Sequence, residues 1–386
     1  MSKIELIATA TFGLESVVKR EIEKLGYKVI KTEDAKITYL ADERGIVRSN
    51  LHLRCADRVL LKMAEFEARE FEELFQQTKA LPWEQLIPID GKFTVTGTSV
   101  KSTLHSVPAC QSIVKKAIVE KLKEFYSVET FEETGAEYTV KATLLKDRVT
   151  LTVDTSGVGL HKRGYRTSDV TAPIKETLAA AMIQLSFWRD DRLLIDPCCG
   201  SGTIPIEAAM IGRNVAPGIN RHFASEEWEL IPEKLWKEER KSAFEAMDYD
   251  KELNIYGFDI NMKAVEAARA NAEEAGVDDC IVFKKADARK LRPEGKNGIV
   301  ITNPPYGERI GEKEEIEGIY AGFRKFFSEN PDWSLFMITT DKEAEEKAMG
   351  RKAERRRKLY NGRLETCYYQ FHGKRIKTDA DPEKER

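Results

Sequence analysis

The pattern of apolar and polar positions changes near residue 160 and divides the chain into two parts. In the first part, short alternating runs predict strands, and a 3.6-residue apolar period predicts helices. The predicted strands are residues 4–8, 29–31, 35–40, 92–98, 138–145 and 149–154, the last two as a hairpin. The predicted helices are residues 14–25, 58–65, 70–81 and 108–125. Together these elements indicate an α+β module, and no group of catalytic residues is recognisable in it.

In the second part of the chain, apolar strands alternate regularly with helices. The predicted strands are residues 193–196, 255–259, 281–285, 299–302, 335–339 and 366–371. The predicted helices are residues 177–187, 204–210 and 262–275, the last between an N-cap at Asn261 and a stop at Gly276. This alternation predicts an α/β fold with a mostly parallel sheet that helices cover on both faces. The strand at residues 366–371 follows a basic segment and is expected to close the sheet.

Residues 214–252 interrupt the alternation of strands and helices. They carry a group of large apolar side chains, namely Trp228, Leu230, Ile231, Leu235 and Trp236. We interpret this segment as a helical insertion that packs over the edge of the parallel sheet.

Composition narrows the class of protein. The chain has 386 residues, 41% of them hydrophobic and 33% charged, which suggests two or three domains with apolar cores. No stretch approaches the ~20 apolar residues of a membrane span. Acidic residues follow Met1 almost immediately, unlike a signal peptide, so we expect a cytoplasmic protein with no membrane partner. The 6 cysteines form no CxxC pair and the histidines do not cluster, so neither a metal site nor a disulfide framework is expected.

Charge is unevenly distributed along the chain, although the net charge is only -3. This value argues against a protein that coats nucleic acid indiscriminately, but not against local basic faces. One basic run alone is more typical of a solvated face, whereas several together favour an RNA-binding surface. The basic runs are residues 115–116, 161–166, 351–352, 355–358 and 374–375. The acidic runs are residues 226–227, 238–239 and 312–317.

A glycine-containing loop follows the first strand of the second part. Gly200 and Gly202 allow close approach of a ligand to the backbone, and the helix that follows offers unpaired N–H groups. The loop lacks the G-x-G-x-x-G pattern of dinucleotide folds, and Asp196 precedes it. A carboxylate there suits a cationic cofactor such as S-adenosylmethionine better than a pyrophosphate. The candidate cofactor-binding residues are Asp196, Pro197, Cys199, Gly200, Ser201, Gly202 and Thr203.

Two further acids end or follow the next strands. Asp259 can accept hydrogen bonds from both ribose hydroxyls, and Asp287 can accept one from an adenine amine. With their neighbours Ile260 and Ala288 they complete the predicted cofactor site. Asp259 lies much further from the glycines than the usual ~20 residues, because the insertion intervenes.

The most informative residues are Asn303-Pro304-Pro305-Tyr306, directly after the strand at residues 299–302. The two prolines end the strand, since neither can donate to a sheet ladder. Asn303 is therefore expected at the carboxyl edge of the sheet, where α/β folds bind ligands. An amide oxygen, free carbonyls and an aromatic ring suit a flat base with an exocyclic amine. The alternative is an ordinary strand-ending turn.

These motifs carry a family resemblance. Residues 161–380 resemble the Rossmann-like, S-adenosylmethionine-dependent methyltransferases of nucleobase amines, through residues 196–203, Asp259, Asp287 and 303–309. Residues 1–55 resemble a ferredoxin-like segment, and residues 56–160 resemble a THUMP domain, an RNA-binding module. The whole chain is similar to the THUMP-containing RNA guanine-N2 methyltransferases, in particular those that make N2-methylguanosine in 23S rRNA. Relatives that share the motif are often labelled adenine-N6 DNA methylases.

The resemblance implies a seven-stranded, mostly parallel sheet, S-adenosylmethionine as cofactor and RNA as partner, with rRNA preferred to tRNA. It implies that Asn303, which also borders the cofactor, and the Pro304 carbonyl each accept one amine hydrogen. Pro305 would complete this turn, and Tyr306 would stack on a base flipped out of its helix. The positive sulfur already activates the methyl donor, so positioning can carry most of the catalysis without a strong general base. Glu308 and Arg309 would order the loop, and residues 171–176 would border the cofactor.

Several alternatives stay open at this point. Transfer to a tRNA guanine, or to adenine N6 of RNA or DNA, fits the same motif. An RNA-binding assembly protein with a vestigial methyltransferase domain is a different class, against which the intact motifs weigh. A nicotinamide-dependent dehydrogenase is disfavoured by the missing G-x-G-x-x-G pattern. A nucleophilic cysteine at Cys198 or Cys199 is disfavoured because the Asn303 loop already accounts for amine chemistry.

Overall fold

The structure, a computed structural model, describes residues 3–166, 173–306 and 312–374. Its strands are β1 (Ile4–Ala10), β2 (Lys28–Glu33), β3 (Lys36–Ala41), β4 (Ala56–Glu67), β5 (Lys92–Val100), β6 (Glu137–Leu145), β7 (Arg148–Asp154), β8 (Leu194–Asp196), β9 (Ile255–Asp259), β10 (Ile281–Lys285), β11 (Ile299–Thr302), β12 (Ser334–Thr339), β13 (Arg355–Asn361) and β14 (Leu364–Phe371). Its α-helices are α1 (Glu15–Lys24), α2 (Glu43–His52), α3 (Phe71–Lys79), α4 (Val107–Tyr126), α5 (Glu176–Ser186), α6 (Thr203–Gly212), α7 (Glu233–Glu245), α8 (Met262–Glu274), α9 (Glu312–Glu329) and α10 (Ala344–Met349).

The chain forms two compact units, and both are discontinuous in sequence. The first unit comprises residues 1–10, 18–160 and 217–245, and the second comprises residues 11–17, 161–216 and 246–386. Among the described residues, no helix is both long and apolar enough to cross a bilayer.

The first unit is built on one seven-stranded sheet in the order β2-β3-β1-β4-β7-β6-β5. All its neighbouring strands are antiparallel except β5 and β6, which run parallel because α4 connects them. The strand β4 pairs with β1 on one side and β7 on the other. The segments predicted to be ferredoxin-like and THUMP-like therefore share a single continuous sheet.

The predicted helix at residues 58–65 is wrong, because these residues lie within the strand β4. Val59, Leu60 and Leu61 are consecutive and all buried, as expected for a central strand covered on both faces. Such a strand lacks the alternation that identifies half-buried strands, so its apolar run resembles that of a helix. The helix α2 was not predicted, although Asp42 caps it by accepting a hydrogen bond from the Gly45 N–H at 2.9 Å.

The second unit contains the predicted α/β fold. Its sheet has the order β10-β9-β8-β11-β12-β14-β13, and the first five strands run parallel. The strand β14 lies between β12 and β13, antiparallel to both. The prediction that residues 366–371 close the sheet is therefore wrong, since the basic segment at residues 355–358 forms the edge strand β13. Charged side chains suit an edge because they discourage pairing with another chain.

The insertion also differs from its prediction, because residues 217–245 belong to the first unit. Trp228 is only 1% exposed and stacks on Tyr138, with ring centroids 4.9 Å apart. Its indole N–H donates to the Glu137 carbonyl oxygen at 3.1 Å. On α7, Glu238 pairs with Arg44 of α2 at 2.9 Å. The apolar side chains of the segment thus complete the core of the first unit rather than covering the edge of the parallel sheet.

Candidate functional site

A cavity of about 590 Å³ opens at the carboxyl ends of β8, β9, β10 and β11 in the second unit. The structure brings almost all the predicted site residues together around it. The lining residues from that set are Asp196, Pro197, Cys199, Gly200, Ser201, Thr203, Asp259, Ile260, Asp287, Ala288, Asn303, Pro304, Pro305 and Tyr306. Gly202 does not line the cavity. A Cβ atom at Gly202 would lie 2.9 Å from the side chains of Ala268 and Phe283, so this glycine permits close packing behind the loop.

Backbone hydrogen bonds hold the loop between β8 and α6 against the end of β9. The Cys199 N–H donates to the Phe258 carbonyl at 2.8 Å, and the Gly200 N–H donates to Oδ2 of Asp259 at 3.0 Å. Gly200 has φ +52° with open space beside its Cα, which leaves its backbone accessible to a ligand. The chain's own hydrogen bonds therefore fix the shape of the loop.

Asp196 is buried beneath this loop, with an exposed fraction of only 1%. Its Oδ1 accepts hydrogen bonds from the Thr302 hydroxyl at 2.8 Å and the Cys198 N–H at 3.1 Å. Burial raises the pKa of Asp196 to about 7, because desolvation disfavours the charged carboxylate. Asp196 thus joins the end of β8 to the end of β11, directly before Asn303.

The other two acids lie at the cavity wall and keep some capacity to accept hydrogen bonds. Oδ1 of Asp259 accepts from the Asn261 N–H at 2.8 Å. Oδ1 of Asp287 accepts from Nε of Arg289 at 2.9 Å, and the hydrogen bond with this guanidinium lowers the pKa of Asp287. A carboxylate offers about four lone-pair positions, so both acids can accept further hydrogen bonds from a ligand.

Asn303 carries the clearest indication of a ligand. Its Oδ1 is buried, and it accepts no hydrogen bond from any residue in the described parts of the chain. A buried acceptor without a donor costs roughly 1–3 kcal/mol, so Oδ1 is expected to meet a donor on a bound molecule. Nearby, Tyr306 accepts a hydrogen bond through its hydroxyl from Nδ2 of Asn361 at 3.3 Å.

Sequence reasoning missed several lining residues. Residues 173–175 line the cavity within the segment predicted to border it, whereas residues 171–172 of that segment, and Glu308 and Arg309, lie outside the described residues. The lining residues outside the predicted set are Cys198, Ile204, Arg289, Glu315, Ile319, Asn361, Gly362 and Leu364. Asn-Gly between two strand-like runs is a strong hairpin signal, so the turn of β13 and β14 was detectable.

The basic run at residues 161–166 is largely structural rather than a solvated or RNA-facing surface. Nε of Arg163 pairs with Oε1 of Glu207 at 3.2 Å, and both residues are buried. The Tyr165 hydroxyl donates to the same carboxylate at 3.2 Å, and burial raises the pKa of Tyr165. Arg166 donates to Oγ1 of Thr203 at 3.1 Å. These contacts hold α6 in position behind the loop at residues 197–202.

The cysteines of the loop are poor candidates for a nucleophile. Burial raises the pKa of both the Cys198 and the Cys199 thiol well above the ordinary value, so neither favours the thiolate. Across the described parts of the chain, no group of three or more His, Cys, Asp or Glu side chains could hold a metal ion.

The residues of the cavity fit S-adenosylmethionine. Carboxylates at the cavity wall can accept hydrogen bonds from the hydroxyl and amine groups of this ligand. Oδ1 of Asn303, which has no donor among the described residues, can accept one more. The fold and this site define a Rossmann-like methyltransferase joined to an α+β module. Family models match each part: "RMKL-like, methyltransferase domain" at residues 163–370, "RlmL ferredoxin-like domain" at residues 5–60 and "THUMP domain" at residues 68–154. The chain belongs to this THUMP-containing, RlmL-like methyltransferase family.

The similarity of the chain to individual proteins supports its membership in this family. The chain is 50% identical over 376 residues to "Putative RNA methyltransferase YpsC" of Bacillus subtilis (strain 168), covering 97% of each chain. It is 32% identical to "Ribosomal RNA large subunit methyltransferase K/L" of Psychromonas ingrahamii, where the match covers 96% of this chain but only 50% of that relative. The chain therefore spans about half the length of this second relative. A crystal structure described as "a putative methyltransferase complexed with SAH" shares 44% identity and a TM-score of 0.92, covering 98% of this chain and 100% of that one.

Proposed function

We propose that the protein transfers a methyl group from S-adenosylmethionine to the exocyclic N2 amine of a guanine in large-subunit ribosomal RNA. The observation that carries this proposal is the buried Oδ1 of Asn303, which has no donor among the described residues and belongs to a residue that lines the cavity together with the loop between β8 and α6. An amine hydrogen of a base would supply that donor. The THUMP match at residues 68–154 and the names of the two relatives support RNA as the substrate.

The cofactor would be held by the loop after β8 and the two acids at the wall. Asp259 would accept hydrogen bonds from ribose hydroxyls, and Asp287 would accept one from the adenine amine. Gly200 would leave room for the ligand beside the backbone. When bound, this group supplies an electrophilic methyl on a positively charged sulfur.

The chain's own residues would act on the amine rather than on the methyl group. The lone pair of the guanine amine is delocalised into the ring, so the amine is a weak nucleophile. Oδ1 of Asn303 and the Pro304 carbonyl would each accept one amine hydrogen, which localises the lone pair toward the methyl donor. Tyr306 would stack on the base, a contact worth about 1–3 kcal/mol. Positioning of this kind can supply much of the barrier reduction without a strong general base.

Nucleoside mass spectrometry of ribosomal and transfer RNA, from cells with and without the gene, tests the proposed substrate. We expect N2-methylguanosine to fall by one residue per large-subunit rRNA in cells without the gene, and to return when the gene is restored. Loss from the transfer RNA pool alone would move the substrate to tRNA. Unchanged N2-methylguanosine in both pools, with loss of a different mark, would refute guanine N2 as the acceptor.

Replacing Asn303 by Ala tests the amine-binding role. We expect Asn303→Ala to slow methyl transfer roughly 10²–10³-fold, the loss seen when one hydrogen-bonding group that acts on the transition state is removed. Affinity for S-adenosylmethionine, measured by calorimetry, should change much less. Asn330→Ala is the matched control. Within the described chain, the Asn330 side chain donates its hydrogen bond to the Phe326 carbonyl oxygen of α9. Turnover retained by Asn303→Ala would contradict the role.

A further inference from the structure

We propose that Glu315 selects guanine over adenine by accepting a hydrogen bond from the N1–H group of the base. This inference rests on the proposed function and deepens it, because Asn303 and Pro304 alone accept two amine hydrogens equally well from guanine N2 and adenine N6. A third group beside the amine is needed to distinguish the two bases. Glu315 lines the same cavity as Asn303 and Tyr306 and supplies that group.

The helix α9 holds Glu315 in a fixed position relative to the cavity. A Cβ atom at Gly322 would lie 2.6 Å from the Arg289 carbonyl oxygen, so this glycine lets α9 contact the backbone that follows β10. On the same helix, Ile316 and Ile319 are buried in the core of the second unit, with exposed fractions of 7% and 4%. Glu315 directly precedes the first of these anchors. It therefore lies on a rigid element, as a specificity-determining side chain must.

The carboxylate of Glu315 is available to a ligand. It lines the cavity and is half-buried, so a molecule in the cavity can reach it. Arg289 is one cation within electrostatic reach of Glu315, and its guanidinium is already held by Asp287 at 2.8 Å. The Cys198 thiol is also within reach of the carboxylate, and burial keeps that thiol protonated. A half-buried carboxylate at a cavity wall can accept a charge-assisted hydrogen bond from an N–H group of the base.

The two candidate bases present opposite groups at this point. Guanine carries the N1–H donor directly beside its N2 amine, so one edge offers donors to Asn303, Pro304 and Glu315. Adenine carries a lone pair on N1 beside its N6 amine, and this lone pair repels a carboxylate. A site that hydrogen-bonds a substrate N–H rejects an analogue that lacks it, because the polar group of the site is left unpaired. Glu315 would therefore restrict methyl transfer to guanine N2, although Asn303 and Pro304 alone could bind either amine.

2-Aminopurine separates this role from amine binding. It keeps the N2 amine of guanine but has a lone pair on N1, like adenine. RNA fragments would carry either guanine or 2-aminopurine at the modified position, which mass spectrometry of nuclease-generated rRNA oligonucleotides from cells with and without the gene identifies. For the wild-type full chain we expect kcat/KM to favour guanine by roughly 10- to 100-fold, the effect of one hydrogen bond to a charged group.

Glu315→Ala and Glu315→Gln test whether this carboxylate is the cause. In Glu315→Ala, kcat/KM for guanine should fall toward the value for 2-aminopurine, so that the preference approaches one. Glu315→Gln keeps the size of the side chain and should lose most of the preference as well. Glu314→Ala, an exposed neighbour on α9, is the control and should keep the wild-type ratio.

The ratio of the two substrates distinguishes the possible failures. A guanine preference that persists in Glu315→Ala and Glu315→Gln, both with wild-type affinity for S-adenosylmethionine, overturns the inference while the proposed function stands. Equal rates on both RNAs by the wild type overturn it in the same way. Methylation by the wild type of a third RNA that carries adenine at this position, with none of the guanine RNA, overturns the proposed function together with the inference. A variant that merely perturbs the fold would lower both rates and leave the ratio unchanged, which also counts against the inference.

Discussion

Polar side chains around the cavity differ in how much of their hydrogen-bonding capacity the protein itself uses. Asp196 is fully enclosed and accepts from both Thr302 and the Cys198 backbone. Asn303, one residue after Thr302, keeps a buried oxygen with no donor among the described residues. The first side chain therefore stabilises the site, and the second is free to act on a ligand. Sequence alone places both at strand ends but cannot tell these roles apart, because the Thr302 contact joins two different strands.

Asp196 should make stability depend on pH. Its pKa is raised to about 7 in the folded protein from an ordinary value of 3.8, so the folded state binds the extra proton between these two values. The stabilisation that results is fully present below pH 3.8 and is lost as the pH rises to about 7. The shift corresponds to a contribution on the order of 4 kcal/mol.

Asp196→Asn tests this dependence, because asparagine does not titrate. We expect the stability of the variant relative to wild type, measured by urea unfolding without cofactor, to be greater at pH 8 than at pH 5.5. The control Asp191→Asn alters a side chain that is 62% exposed, and its difference from wild type should change little over the same range. A relative stability of Asp196→Asn that is independent of pH would contradict the raised pKa.

Among the elements, the hairpin of β13 and β14 contributes to the site through its turn. Asn361 at the end of β13 donates to the Tyr306 hydroxyl, which orients the ring that we expect to stack on the base. We predict that Asn361→Ala lowers kcat several-fold, since the cost of one neutral hydrogen bond is about 0.5–1.5 kcal/mol, with little change in cofactor affinity. Steady-state kinetics and calorimetry measure these two quantities.

A double-mutant cycle checks the partner of Asn361. Tyr306→Phe removes only the hydroxyl and should reproduce the effect of Asn361→Ala. The two changes together should cost little more than either alone, because both remove the same contact. Additive losses would indicate that the two side chains act separately.

Elements were predictable where the local pattern and the tertiary environment agree. The strands β9, β10 and β11 begin and end at the predicted residues, because they are short apolar runs bounded by turn residues. The strand β4 was mistaken for a helix, since burial on both faces erases the alternation that marks a strand. The place of β13 at the sheet edge depends on which strand β14 pairs with, and no local signal gives that pairing.

On the scale of the whole molecule, the core of the first unit depends on residues 217–245. These residues are separated from the rest of the unit by residues 161–216, which belong to the second unit. Trp228 fills its core against Tyr138. We expect Trp228→Ala to destabilise the first unit by about 3–5 kcal/mol, the usual cost of removing a buried tryptophan side chain. Hydrogen exchange should then be faster in β6 and β7, while affinity for S-adenosylhomocysteine in the second unit stays near the wild-type value.

Phe244→Ala is a suitable control for this change. Phe244 lies on α7 in the same segment, but its side chain is 59% exposed. Its removal should alter stability by no more than about 0.5 kcal/mol. Unchanged exchange in β6 and β7 of Trp228→Ala would mean that the segment is not part of the core of the first unit.

The discontinuous first unit has a consequence for synthesis on the ribosome. The chain emerges from its amino end, so all seven strands of the first sheet are available once residue 154 has left the exit tunnel. The segment at residues 217–245 follows only after β8 and α6 of the second unit. Until then Tyr138 lacks its aromatic partner, and the nascent chain exposes an apolar surface while translation continues. We therefore expect the two units to mature together rather than one after the other, with the later segment acting as the last step in folding the earlier unit.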